Sequence, residues 1–233
     1  MTTVNGATVL VTGGQRGLGR AFVQGALEAG AAKVYATART PAPESDRRIV
    51  PLPLEVTDAK SVAELARRTG DVSIVVNNAG IGSGAPLAEA DMDEVRAVFD
   101  ANVFGALRVA QAFAPILAAN GGGALIDIHS VLSWAAGSGA YGATKAALWS
   151  LTNSLRLELA PQGTQVLGVH LGYTDTDMVR GLDVPKNDPR AVVRDVLAAL
   201  ENGETEVLAD DVSRAFKAAL SGPVEGLSVV SAA

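Results

Sequence analysis

Short apolar runs, hardly diluted by polar residues, recur along this chain with longer amphipathic stretches between them. They fall at 7–12 (ATVLVT), 33–38 (KVYATA), within 48–56 (RIVPLPLEV), 71–78 (DVSIVVNN), 123–130 (GALIDIHS) and 164–172 (TQVLGVHLG), with a weaker one at 205–210 (TEVLAD). A strand with one face in water alternates apolar and polar residues. A strand buried on both faces does not. These runs therefore predict a sheet covered by helices on each side. The intervening segments 20–30, 57–68, 91–119, 140–160, 188–203 and 211–222 have helical periodicity. Strand–helix repetition with right-handed crossovers gives an α/β doubly wound parallel sheet of about seven strands. Gly30 is expected to end the first helix, Asp58 or Thr57 to cap the second, and Pro115 to kink the long third one.

The chain has 233 residues, and no composition break marks a linker, so one domain over 1–233 is expected. There are no cysteines, which excludes disulfides and thiolate chemistry. The two histidines, His129 and His170, are far apart in sequence, so no metal site is expected. A net charge of −6 disfavours nucleic acid as a partner. The N-terminus lacks the pattern of a signal peptide. No unbroken apolar run approaches the roughly 20 residues of a membrane span. A cytoplasmic protein without a membrane partner is the expectation.

The first strand runs into TGGQRGLG, Thr12 to Gly19. Gly13, Gly17 and Gly19 sit where a strand turns into a helix. Glycines there let backbone approach a pyrophosphate, and the helix N-terminus offers free N–H groups. A glycine turn alone also serves any tight connection; its position after an N-terminal strand favours dinucleotide binding. At the end of the second strand, where NAD-binding folds often carry an acid, Ala38 is followed by Arg39. Arg16 lies in the turn itself. A 2′-phosphate carries about −1.5 to −2 charge and pairs well with guanidinium. Two arginines and no acid point to NADP(H), unless both are simply solvated.

Tyr141 and Lys145 are four apart in AYGATKAALWSL and share a helix face. Most such pairs are surface decoration. A close ammonium, however, lowers a phenol's pKa and equips it for acid–base work.

TGGQRGLG, NNAG at 77–80, Asn102, Ser130 and YGATK at 141–145 occur in the order of the short-chain dehydrogenase/reductase family, which the chain resembles over about 7–178. The resemblance implies a Rossmann fold and an oxidoreductase. It makes Tyr141 the catalytic acid/base, Lys145 its pKa-lowering partner and a ribose ligand, and Ser130 the hydroxyl that orients the substrate oxygen. Asn102 would support a water next to Lys145. Gly13, Gly14, Gln15, Arg16, Gly17, Leu18 and Gly19 would hold the cofactor's phosphates, with Arg39 on the 2′-phosphate. Glu55 and Val56 would face the adenine. Asn78, Ala79, Gly80, Gly172, Thr174 and Thr176 would line the rest of the dinucleotide, together with Tyr141 and Lys145. An NADP-preferring member is implied, acting as a homodimer or homotetramer.

Three departures matter. Ser130 lies eleven residues before Tyr141, closer than is usual, so Ser133 is an alternative. Leu171-Gly172 replaces the family's Pro-Gly, and Glu55 replaces an aspartate. His129 and His170 read as packed core histidines. Trp134 is a candidate for the pocket wall and Trp149 for a subunit interface. The acids at 89–94 read as a helix start. Segment 173–190, short and polar, is expected to face an open site for a small or variable carbonyl compound. The resulting expectation is an NADPH-dependent reductase of aldehydes or ketones, reversible to alcohol oxidation. An NADP(H)-binding sensor without turnover is the main rival; an isomerase or dehydratase with a tightly held nucleotide is a further one.

Overall fold

The fold, taken from a computed structural model, is described for residues 2–229. Seven strands form one sheet: β1 (Thr8–Val11), β2 (Lys33–Ala38), β3 (Ile49–Pro53), β4 (Ile74–Asn77), β5 (Ala124–Ile128), β6 (Gln165–His170) and β7 (Glu206–Leu208). Their order is β3-β2-β1-β4-β5-β6-β7, and every pairing is parallel. The order reverses between β1 and β4. At such a switch point the connections leave in opposite directions and open a crevice beyond the strand ends.

Seven α-helices complete the frame: α1 (Gly17–Glu28), α2 (Ala59–Arg68), α3 (Met92–Phe99), α4 (Ala106–Ala119), α5 (Gly139–Leu159), α6 (Pro189–Glu201) and α7 (Asp211–Ala218). Alternate strand residues feed two cores. Val9, Val34, Ile126 and Leu167 pack with Phe22 of α1 and Val196 of α6. Leu10, Val75 and Leu125 pack with Leu65 of α2 and Phe113 of α4 on the other face. This two-sided burial is why the strands read as continuous apolar runs.

Most boundaries agree with the sequence reading, with informative exceptions. Asp58, not Thr57, caps α2 by accepting the Lys60 N–H at 2.8 Å. Gly30 sits just past α1 at φ +91°, the left-handed conformation that ends a helix. Pro115 lies inside α4, the last part of the long helix. Its irregularity is a π-helical segment at Asp100–Gly105. Such a bulge re-aims side chains locally, and here it carries the buried Asn102.

No apolar run approaches span length in the sequence, but one helix passes by its average. The 28-residue stretch Met92–Ala119 is long and apolar enough to cross a membrane, with a mean hydropathy of 1.3 over its most apolar window. Charged residues break up its runs in the sequence, which hides the average. Half of that window is buried inside the fold, and Val98, Val109, Phe113 and Leu117 belong to its buried core.

α1 and α6 cross closely at Gly25, where an added Cβ would come within 2.5 Å of Val193 Cγ1. Val193 is itself buried and stiff at χ1. Gly25→Val is therefore expected to lower stability by about 1–3 kcal/mol through overpacking. A urea melt checks this: the midpoint falls while the slope is kept.

Candidate active site

The crevice at the switch point is built from backbone. Gly13 turns the chain at φ +65°, and a Cβ on Gly19 would fall on the Gly13 carbonyl oxygen. Both positions exclude a side chain. α1 then starts at Gly17 with Arg16 as its N-cap, no side-chain cap and no acid in its first turn. Its first N–H groups and positive dipole end are thus left for an anion. Across the crevice, the Thr12 hydroxyl accepts the N–H groups of Asn78 and Ala79, each at 2.9 Å. The Asn78 amide returns a bond to the Thr12 carbonyl at 2.9 Å. The glycine turn and NNAG are therefore one rigid unit.

Around it, the sequence candidates divide. Arg16 and Arg39 are exposed, and neither has an ion pair among the described residues. Gln15 is occupied instead. Its side chain bonds the Ala42 backbone in both directions and reaches Glu44 at 3.1 Å. Glu44 also pairs with Arg20 at 2.6 Å. Gln15 therefore anchors the loop after β2. Glu55 accepts from the Thr57 N–H and hydroxyl, and Val56 presses on Gly105 of the π segment.

Ser130 stands just past β5, where its Oγ accepts the Leu132 N–H at 3.1 Å. Tyr141 and Lys145 lie on one face of α5, with Lys145 Nζ 5.7 Å from the phenol ring centre. Nζ donates to the Ile128 carbonyl at 2.7 Å. Asn102 binds both the N–H and the carbonyl of Ile81 at 2.9 Å and the Thr144 hydroxyl at 3.1 Å. It ties the chain beyond NNAG to α5 beside Lys145. Ser130, Tyr141, Lys145, Asn78, Gly80, Gly172, Thr174 and Thr176 all line one cavity of about 910 Å³. Ser133 and Trp134 are buried but do not line it. Trp134 stacks on His170 instead, with ring centres 3.9 Å apart.

The electrostatics depart from the simple expectation. Burial pushes the Tyr141 phenol up to about 12, opposed by a hydrogen bond with Ser130. Burial pushes Lys145 down to about 8, opposed by the Asp127 carboxylate. Desolvation, not the ammonium, dominates the phenol, because Nζ is drawn to the Ile128 carbonyl. Tyr141 is therefore a firmly protonated group at neutral pH, and Lys145 titrates close to it.

Asp210 was not singled out from the sequence. Its Oδ2 accepts the Gly172 N–H and the Asn187 amide, each at 2.6 Å, and its Oδ1 accepts the Ser213 N–H at 2.7 Å. It staples both ends of the segment facing the cavity to α7. Burial alone would raise its carboxyl, but these donors hold it below the usual range. The only sequence signal was an aspartate before a helix, which reads as a cap.

Residues 7–186 match the short chain dehydrogenase family, and the chain belongs to it. A short chain dehydrogenase from Burkholderia cenocepacia, solved in complex with NADP, superposes with a TM-score of 0.90 at 37% identity, covering 97% of each chain. Sorbitol dehydrogenase of Cereibacter sphaeroides is 36% identical over 192 residues, 77% of this chain and 75% of that protein. Short-chain dehydrogenase cctT of Talaromyces islandicus is 36% identical over 197 residues, 78% of this chain. This chain spans only 65% of that relative's length.

Asp210→Ala removes three bonds and leaves the Gly172 N–H without its partner. Hydrogen exchange is expected to rise in 172–187, and stability to fall by about 1–3 kcal/mol. Exchange unchanged in that segment would remove the staple from the account.

Proposed function

We propose that this chain is an NADPH-dependent reductase of aldehydes or ketones, the reverse reaction being alcohol oxidation. One observation carries the reading: the Tyr141 phenol, held protonated, opens with Ser130 and Lys145 on one cavity at the strand ends. A protonated phenol is the form that serves reduction, where an alkoxide oxygen needs a proton.

The residues at the crevice fit a dinucleotide. Gly13 and Gly19 let the turn close on itself and against Asn78, and the uncapped α1 N-terminus beyond it would bind a pyrophosphate. Arg16 and Arg39 would pair with a 2′-phosphate. Glu44, the nearest acid after β2, is engaged by Arg20 and Gln15 and is not a free ribose acceptor. The NADP complex of the Burkholderia relative supports the same choice. When bound, the nicotinamide would supply the hydride to the carbonyl carbon.

Tyr141 donates its proton to the carbonyl oxygen as negative charge develops there. Ser130 hydrogen-bonds the same oxygen, and the enclosed site strengthens both interactions. Lys145 holds positive charge behind the phenol and would bind the ribose. Asn102, locked to Ile81 and Thr144, keeps the Lys145 turn of α5 in place. Leu132, Tyr173, Met178, Leu182, Val212 and Phe216 line the outer cavity. Segment 173–190 is polar in composition, yet its exposed Tyr173, Met178 and Leu182 border the cavity. The wall favours a carbonyl compound with an apolar body. Phe104 (50% exposed) and Leu157 (77% exposed) offer apolar surface for a homodimer or homotetramer.

Tyr141→Phe is expected to lower kcat by about 10²–10⁴-fold while NADPH affinity, read by nucleotide fluorescence, is kept. Equal turnover in the mutant would refute the acid role. Tight NADPH binding with no turnover on any carbonyl in the wild type would favour a sensor.

A pH profile tests Lys145. Its ammonium is complete below about 8 and lost above it, whereas Tyr141 stays protonated until about 12. Reductive kcat/KM should be level at low pH and fall about tenfold per unit above the Lys145 value. A level profile beyond that value would exclude a required ammonium.

A further inference from the structure

Behind the catalytic strand end lies a second polar array that the proposed reaction does not use. Asp127, Thr152, His129 and His170 are all buried, at 1%, 0%, 2% and 0% exposure. They make a continuous line. Asp127 Oδ2 lies 2.7 Å from Thr152 Oγ1, which lies 2.9 Å from His129 Nε2. His129 Nδ1 lies 3.1 Å from His170 Nε2, and His170 Nδ1 lies 3.3 Å from the Ser130 carbonyl oxygen.

The direction of every proton follows from the last contact. A carbonyl oxygen only accepts. The Ser130 carbonyl takes the Ser133 N–H at 3.0 Å on one lone pair and meets His170 Nδ1 with the other. His170 must then carry its proton on Nδ1. In the neutral ring, Nε2 is a lone pair and must accept, so His129 is protonated on Nδ1. His129 Nε2 in turn accepts from the Thr152 hydroxyl. That hydroxyl has one proton. The Leu148 carbonyl competes for it at 2.8 Å, but yielding it would leave His129 Nε2 without a donor. The Thr152 oxygen therefore has to accept from Asp127, whose Oδ1 already takes the Asn77 amide at 3.0 Å.

We propose that His170 is a positioning residue for Ser130, its Nδ1–H ending a one-way hydrogen-bond chain that starts at a protonated Asp127. The reverse polarity, with Asp127 ionised and both rings neutral, ends with two acceptors facing each other at the Ser130 carbonyl. Buried groups do not tolerate that cheaply. Burial raises the Asp127 carboxyl, in the same direction as this assignment, and lowers both imidazoles toward the neutral rings that either polarity requires.

The surrounding charges are Lys145, Arg156 and Lys217, which oppose an imidazolium at His129, and Glu206, which favours one at His170. Glu206 is paired with Lys217 at 2.8 Å, which weakens its pull. Trp134 stacks on His170, and Lys217 lies 5.1 Å from the ring centres of Trp134 and Trp149. The array is thus sealed where it nears the surface. Its function rests on the reading of Ser130 as the hydroxyl that meets substrate; its polarity does not.

His129 and His170 are the only histidines in the chain, so ¹⁵N-histidine labelling of the full protein reads the array directly. Two neutral Nδ1–H rings at neutral pH are expected. An Nε2–H ring or an imidazolium at His170 overturns the proposal, whatever the enzyme does. Thr152→Val cuts the chain at its middle. It should switch His170 away from Nδ1–H and lower kcat about tenfold, with KM for NADPH changed less than about twofold. Thr152→Ser should restore both. A switched tautomer with unchanged kcat overturns the positioning role. If Thr152→Val fails to fold, Thr152→Ser and the wild-type spectrum still decide the polarity. Should no carbonyl be reduced by wild type, the spectrum still stands apart from that failure.

Discussion

One threonine hydroxyl ties together the two chain segments that leave β1 and β4 at the centre of the sheet. Thr12 ends β1, and its Oγ accepts two backbone N–H groups from the chain leaving β4. That is the point where strand order reverses: the β1–β4 ladder ends at Val11 and Val76, and the hydroxyl carries the join beyond it. Without the side chain, the Asn78 amide on the Thr12 carbonyl would be left to hold the glycine turn to NNAG. With it, they become opposite walls of one fixed crevice. The helix N-terminus, the cavity and the far strand ends are then positioned from that crevice.

A second constraint is the common environment of Tyr141, Lys145, Asp127, His129 and His170. All are buried except the half-buried Tyr141, and in each the charged form is disfavoured. Desolvation raises acids and lowers bases, so it drives the whole set toward neutrality. A low dielectric also sharpens the cost of a misdirected proton. The active-site pair and the array behind it are therefore governed by one physical term, although they share no side-chain hydrogen bond.

The fold was largely legible because its main signal is local. Two-sided burial leaves strands with no polar face, and the glycine turn and NNAG punctuate the two strands that flank the switch point. The π segment was not legible. It depends on Asn102 binding Ile81 and Thr144, partners distant in sequence. Nor was Asp210, because capping a helix and stapling a loop call for the same residue. The apolar average within Met92–Ala119 was hidden by the charged residues that interrupt its runs. Gln15 was read as a cofactor ligand from its place in the motif, but the loop after β2 folds back and occupies its side chain.

By itself, the sequence determined the strand–helix order, the parallel sheet, the family and the shared helix face of Tyr141 and Lys145. Each depends on periodicity or on residues close along the chain. Tertiary structure decided what those groups are chemically. It made the phenol a strong holder of its proton and left Arg16 and Arg39 unpaired among the described residues. It set apolar side chains of a polar segment along the cavity and brought two distant histidines within 3.1 Å of each other. Burial and long-range contact set proton affinity and direction, and neither is encoded at any one position in the chain.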